Sequence, residues 1–135
     1  MVGSHLGFAV FEDGTAPGPI MFEDDIDWIQ KFIGCHNYEL IVRAIDGRNY
    51  CILIDDDGRL TRRKPTAINR PVVLKNVMIV AQSALVGTLI ITRLDDNGEE
   101  FLDLTEEDIQ HLESNLFMNA DGRYLMANIS ARSMA

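Results

Sequence analysis

The sequence predicts an α+β fold: a mainly antiparallel sheet with one helix in the N-terminal half and one C-terminal helix, both packed on one face. Three observations carry this expectation. Runs of β-branched and aromatic residues recur along the chain, Asp-Gly and Asn-Gly pairs punctuate them, and two amphipathic stretches stand nearer the ends. With 135 residues the chain has the size of one domain, with a core over about residues 7–118 and a tail over 119–135.

Gly7 to Phe11 reads as a strand, and Glu12 to Pro19 as a Gly/Pro-rich turn. Ile20 to Phe22 is a second extended stub. Asp24 or Asp25 then opens a helix, because either carboxylate can accept the orphan N–H groups of a first turn. Ile26, Ile29 and Ile33 recur at helical spacing, Trp28 and Phe32 widen the stripe, and Gly34 closes it. Tyr38–Ala44 and Tyr50–Ile54 read as a hairpin around Asp46-Gly47. Asp55 to Gly58 turns the chain again, and Arg59 to Pro71 reads as a basic loop with two prolines. Val72–Leu74, Val77–Ala81 and Val86–Thr92 are expected strands, and Asp95 to Gly98 is a turn returning through Phe101-Leu102. Thr105 is the expected N-cap of the second helix, with Ile109, Leu112, Leu116 and Phe117 as its apolar stripe. Asn119 to Gly122 should break that helix. The tail from Arg123 fits either a short helix carrying Leu125, Met126 and Ile129 or a frayed end.

Charge is segregated. The net charge of −9 divides into −8 for residues 1–57, +7 for 58–94 and −8 for 95–135. The basic segment either folds against the acidic ones or leaves an acidic face for a basic partner. The acidic partner-binding candidates are Asp95, Asp96, Glu99, Glu100, Asp103, Glu106, Glu107 and Asp108. The basic candidates are Arg59, Arg62, Arg63, Lys64, Arg70 and Lys75. Between Gly58 and Arg93 there is no aromatic side chain on which a base could stack, so direct nucleic-acid binding is the weaker reading.

No catalytic group, metal site or cofactor is expected. Cys35 and Cys51 lack CxxC spacing and read as small buried hydrophobes in a reducing, cytoplasmic setting. Cys35-His36 is the one Cys–His neighbour pair, but sequence adjacency seldom gives the geometry of an activated thiolate, and no third orienting group is evident. His111 reads as a solvated residue beside Glu107. Asp55-Asp56-Asp57-Gly58 does not fit a calcium loop, since its Gly falls fourth and Thr66 occupies the twelfth position. The longest uncharged stretch, residues 76–92, is too short and too polar for a bilayer span of about 20 apolar residues, so no membrane partner is expected. The start Met1-Val2-Gly3-Ser4-His5 has neither the basic region nor the apolar run of a signal peptide.

Ile29-Gln30-Lys31-Phe32-Ile33-Gly34, Ile54 to Leu60, Val86-Gly87-Thr88 and Leu104 to Ile109 resemble the landmarks of the DUF3846 family, a small domain of unknown function. The resemblance spans roughly residues 20–117. It implies a setting in plasmids, conjugative elements and phages of Gram-positive bacteria, and it supplies no activity. Together with the charge pattern it leads to an expected non-enzymatic, protein-binding accessory domain. In its sharpest form this is a counter-defence inhibitor, of anti-CRISPR or anti-restriction type, that offers an acidic surface to a basic nucleic-acid-handling host protein. The alternatives are a nucleic-acid accessory protein using residues 59–75 and a small enzyme using Cys35 and His36.

Overall fold

The computed structural model describes residues 3–69, 72–74, 77–79 and 83–133. Among these residues the chain forms a ten-stranded, mostly antiparallel sheet, a separate two-stranded hairpin and two helices. Strand β1 (Ser4–Val10) pairs along its length with β2 (Gly18–Glu23). Helix α1 (Ile26–Ile33) follows, capped by Asp25, one of the two carboxylates the sequence offers, which accepts from Trp28 N, and closed by Gly34 as the sequence predicts. Strands β3 (Tyr38–Ile45) and β4 (Arg48–Asp55) form the predicted hairpin, in which Asp46 and Gly47 both take the positive φ of a tight turn.

Beyond Asp55 the structure departs from the sequence reading. The expected loop contains a strand, β5 (Pro65–Asn69). Its proline stands at the first position, where a missing N–H costs no ladder bond. The segments β6 (Val72–Leu74) and β7 (Val77–Ile79) pair only with each other. The expected strand Val86–Thr92 is two strands, β8 (Ser83–Val86) and β9 (Leu89–Leu94), separated at Gly87. Gly87 is required there: its φ is +85, and a Cβ would sit 2.9 Å from Nε of Arg63. Strand β10 (Phe101–Leu102) returns on β9 as expected.

Helix α2 (Glu106–Glu113) carries the predicted Thr105 cap as a full capping box with Asp108. It ends earlier than its apolar stripe suggests. Leu116 and Phe117 belong to a strand, β11 (Leu116–Met118), and Phe117 is half exposed. Asn119 to Gly122 is then a hairpin turn, with the Asn119 side chain accepting from Asp121 N and Arg123 N. The tail is neither helix nor frayed end. It forms β12 (Tyr124–Ala131), an interior strand of the sheet with Leu125, Met126 and Ile129 buried.

The strand order is β2-β1-β9-β4-β3-β12-β5-β8, with β10 on β9 and β11 on β12. The pair β12–β5 is parallel and the other described pairs are antiparallel. The expectation of both helices on one face is corrected. Ile29 and Ile33 of α1 pack with Phe22, Leu53 and Ile90, whereas Leu112 of α2 packs with Phe8, Ile52, Leu89 and Ile91. Ile52 and Leu53 are neighbours on β4, as are Ile90 and Ile91 on β9, so they point to opposite sides. The physical reason is that Tyr50–Ile54 and Leu89–Ile91 are buried without a break, so both faces of the central strands need cover. No helix among the described residues is long and apolar enough to cross a membrane.

Candidate functional site

Two acidic runs that are remote in sequence meet around the start of β1. Ser4 Oγ donates to Glu23 Oε1 at 2.7 Å, and Asp24 N donates to the Gly3 carbonyl at 2.9 Å. From the other run, Asp103 Oδ1 accepts from Leu6 N at 2.9 Å and lies 3.7 Å from the His5 ring. That ring rests between Phe22 and Phe101, whose centroids are 5.6 Å and 5.9 Å away. The aromatic contacts fix β10 against β1 and β2, so the carboxylates of Glu23, Asp24 and Asp103 share one end of the sheet. Asp24, Asp25 and Asp27 are exposed beside them at the head of α1.

The predicted acids have different fates. Asp96, Glu99 and Glu100 are exposed on the β9–β10 turn, and Glu106 and Glu107 on the first turn of α2. Asp95 is half buried and closes its turn by accepting from Glu99 N at 2.8 Å. Asp108 leaves the set altogether. It is 1% exposed, completes the helix cap, and lies 3.2 Å from Arg48 and 3.7 Å from Arg93. A carboxylate at the third helical position preceded by a Thr cap already signals that structural role.

The basic candidates also separate. Arg63 turns inward: Nε and Nη2 donate to Glu12, Nη1 donates to Asp55 at 2.9 Å, and Nη2 also donates to the Ile33 carbonyl at 2.6 Å. One guanidinium thus joins the end of β1, the end of β4 and the C-terminus of α1, where a cation also meets the negative helix end. Arg59, Arg62 and Lys64 are exposed, with Arg62 at φ +57 in the turn after Gly58. Arg70 and Lys75 lie outside the described residues.

Beside Arg63 opens a cleft of about 550 Å³ whose lining includes Phe32, Cys35, His36, Asp57 and Thr61. Cys35 and His36 do share this cleft, but burial pushes the Cys35 thiol up, and the Asp55 carboxylate adds to the effect. The thiol is held protonated, which opposes a nucleophilic role. Burial likewise pushes Cys51 up to about 12. Iodoacetamide at neutral pH is therefore expected to modify native Cys35 more slowly than a free thiol and to leave Cys51 untouched, with Cys35 accelerating as pH rises past 9. Mass spectrometry of timed samples reads this, and Cys35 labelling at neutral pH faster than glutathione would reinstate the thiolate. Among the described residues no group of three or more His, Cys, Asp or Glu side chains is placed to hold a metal ion.

Sequence reasoning missed two features. His111 is not merely solvated, because its Nδ1 lies 2.8 Å from Tyr50 Oη with the rings stacked. Glu12 and Asp55 carried no visible signal as partners of Arg63, since 51 and 8 residues separate them from it.

Neither the curated proteins nor the solved structures contain a match to this chain. A family model does match, over residues 7–117, which runs from Gly7 within β1 to Phe117 of β11 and includes every landmark named above. The chain therefore belongs to the family described as Domain of unknown function (DUF3846).

Proposed function

We propose that this domain is a non-enzymatic, protein-binding accessory module that offers its acidic end to a basic surface of another protein. The observation that carries the reading is the meeting of Glu23 and Asp103, from two acidic runs remote in sequence, around Ser4–Leu6, with Asp24, Asp25 and Asp27 exposed beside them. Clustered charge of one sign steers a partner of opposite sign and raises its association rate. The inward engagement of Arg63 supports the same reading, because it removes one cation from the surface that would otherwise compete. So does the raised thiol of Cys35, which leaves the cleft without an activated nucleophile.

The mobile-element setting implied by the family resemblance sharpens the proposal. A basic surface worth occupying there belongs to a nucleic-acid-handling host protein, and rows of carboxylates imitate the charge of a phosphate backbone. The inhibitor form predicts that the domain and nucleic acid compete for that protein. Affinity capture from a Gram-positive host should recover a basic protein whose binding weakens steeply between low salt and about 0.5 M. The exposed-residue variant Asp24→Lys/Glu99→Lys/Glu100→Lys should slow association roughly tenfold or more, with the melting temperature little changed. Capture of no basic protein, or an affinity indifferent to salt, would remove the proposal.

A further inference from the structure

A second groove, of about 520 Å³, carries the opposite charge from the acidic end. It lies across β3, β12, β5 and β8, four consecutive strands of the sheet. Among the described residues its polar lining is Arg43, Arg59, Arg132, Asn69 and Ser130, with aliphatic walls and no carboxylate. Strand register assembles it from segments far apart in sequence. Arg43 faces Ala131 across the β3–β12 pair, which places Arg132 one step beyond, and Asn69 lies beside Ile129 on the other flank of β12. Arg59 reaches over from the turn after β4 and is anchored by donating Nη2 to the Ala84 carbonyl at 2.7 Å. Arg43 donates Nη1 to the Val42 carbonyl at 2.9 Å.

Arg48, Arg63 and Arg93 each face a carboxylate. Among the described residues, Arg43, Arg59 and Arg132 form no ion pair, although the chain holds 21 acids against 12 bases. Three arginines line this one groove with no carboxylate among its described residues, so the groove is electropositive and attracts an anion. We propose that this groove binds a phosphate-bearing ligand. Guanidinium forks match the paired oxygens of a phosphoryl group, and Asn69 and Ser130 add neutral donors. The described lining offers no aromatic ring, so the groove recognises phosphoryl groups and not stacked bases.

Calorimetric titration at low salt with inorganic tripolyphosphate, ATP and a single-stranded oligothymidylate tests the proposal. At least one probe is expected to bind, and Arg43→Ala/Arg132→Ala should weaken it roughly tenfold or more for each guanidinium removed. The control Lys31→Ala, which removes a cation on α1 outside the groove, should leave binding unchanged. Binding of tripolyphosphate and ATP alike assigns the groove to free oligophosphates, whereas binding of the oligonucleotide alone assigns it to a nucleic-acid backbone. If the alanine pair loses its thermal transition, Arg59→Gln/Arg132→Gln, at two exposed positions, gives the same readout. Absence of binding for all three probes, or an affinity unchanged in the folded variants, overturns the proposal.

Discussion

A chain ending at Met118 is expected to lose its cooperative fold, even though the family match stops at residue 117. The removed segment includes β12, which lies between β3 and β5 and also pairs with β11. Its Leu125, Met126 and Ile129 are buried to 5%, 0% and 3% exposure and belong with the core that holds Phe8, Ile52 and Leu112. Burying three such side chains contributes about 5–9 kcal/mol. A domain of this size has a net stability of only about 5–15 kcal/mol, so the loss approaches the whole. The damage also spreads beyond those side chains, because β5 and β8 reach the rest of the sheet through β12. The comparison is thermal unfolding by circular dichroism of chains 1–118 and 1–135. A sharp transition in the shorter chain, within a few degrees of the longer one, would show that β12 is dispensable.

The reason β12 is hidden in the sequence lies in its bulge. Asn128 has φ +60, and the register with β5 shifts between Met126 and Ile129. The buried residues therefore fall at 125, 126 and 129, a spacing that imitates a helix face and conceals the period of two. Elsewhere local chemistry was legible. The caps at Asp25 and Thr105, the Gly34 stop and the Asp46-Gly47 turn each depend on neighbours within four residues, and each stands as read. Strand β5 failed for a local reason: two of its five residues, Thr66 and Asn69, are polar and its first is proline, while the buried Thr66 hydroxyl is satisfied by donating to the Gly87 carbonyl at 2.6 Å. Side choice failed for a global one. The runs Cys51–Ile54 and Leu89–Ile91 were visible as apolar, but continuous apolarity in a strand already means cover on both faces, and that consequence separates α1 from α2. The candidate site was legible as a list of charges and not as a surface. Which carboxylates face solvent depends on pairings such as Ser4 with Glu23 and Asp103 with Leu6, and no periodicity encodes those.

Removing the guanidinium of Arg63 is expected to destabilise the protein by about 3–5 kcal/mol, the range for a buried ion pair stripped of one partner. Burial decides the magnitude. The Arg63 side chain is 12% exposed, its partner Asp55 is 7% and Glu12 is 25%, so solvent screens little of the charge left behind. An exposed pair would contribute at most about 1 kcal/mol. In Arg63→Ala the carboxylates of Glu12 and Asp55 and the Ile33 carbonyl would all lose the guanidinium donors, leaving Asp55 only Asp57 N at 2.9 Å and Glu12 only Lys64 N at 3.4 Å. Three connections would loosen together: the end of β1, the end of β4 and the C-terminus of α1. Neutralising the carboxylates as well should return part of the loss, so Glu12→Gln/Asp55→Asn/Arg63→Ala is expected to be more stable than Arg63→Ala alone. That ordering separates an orphaned-charge penalty from simple loss of packing, under which the triple variant would be the weaker one. Urea unfolding of the wild type, the single and the triple variant reads both quantities. A deficit below about 1 kcal/mol for Arg63→Ala would mean that water reaches the cluster and that Arg63 does not fasten the helix to the sheet.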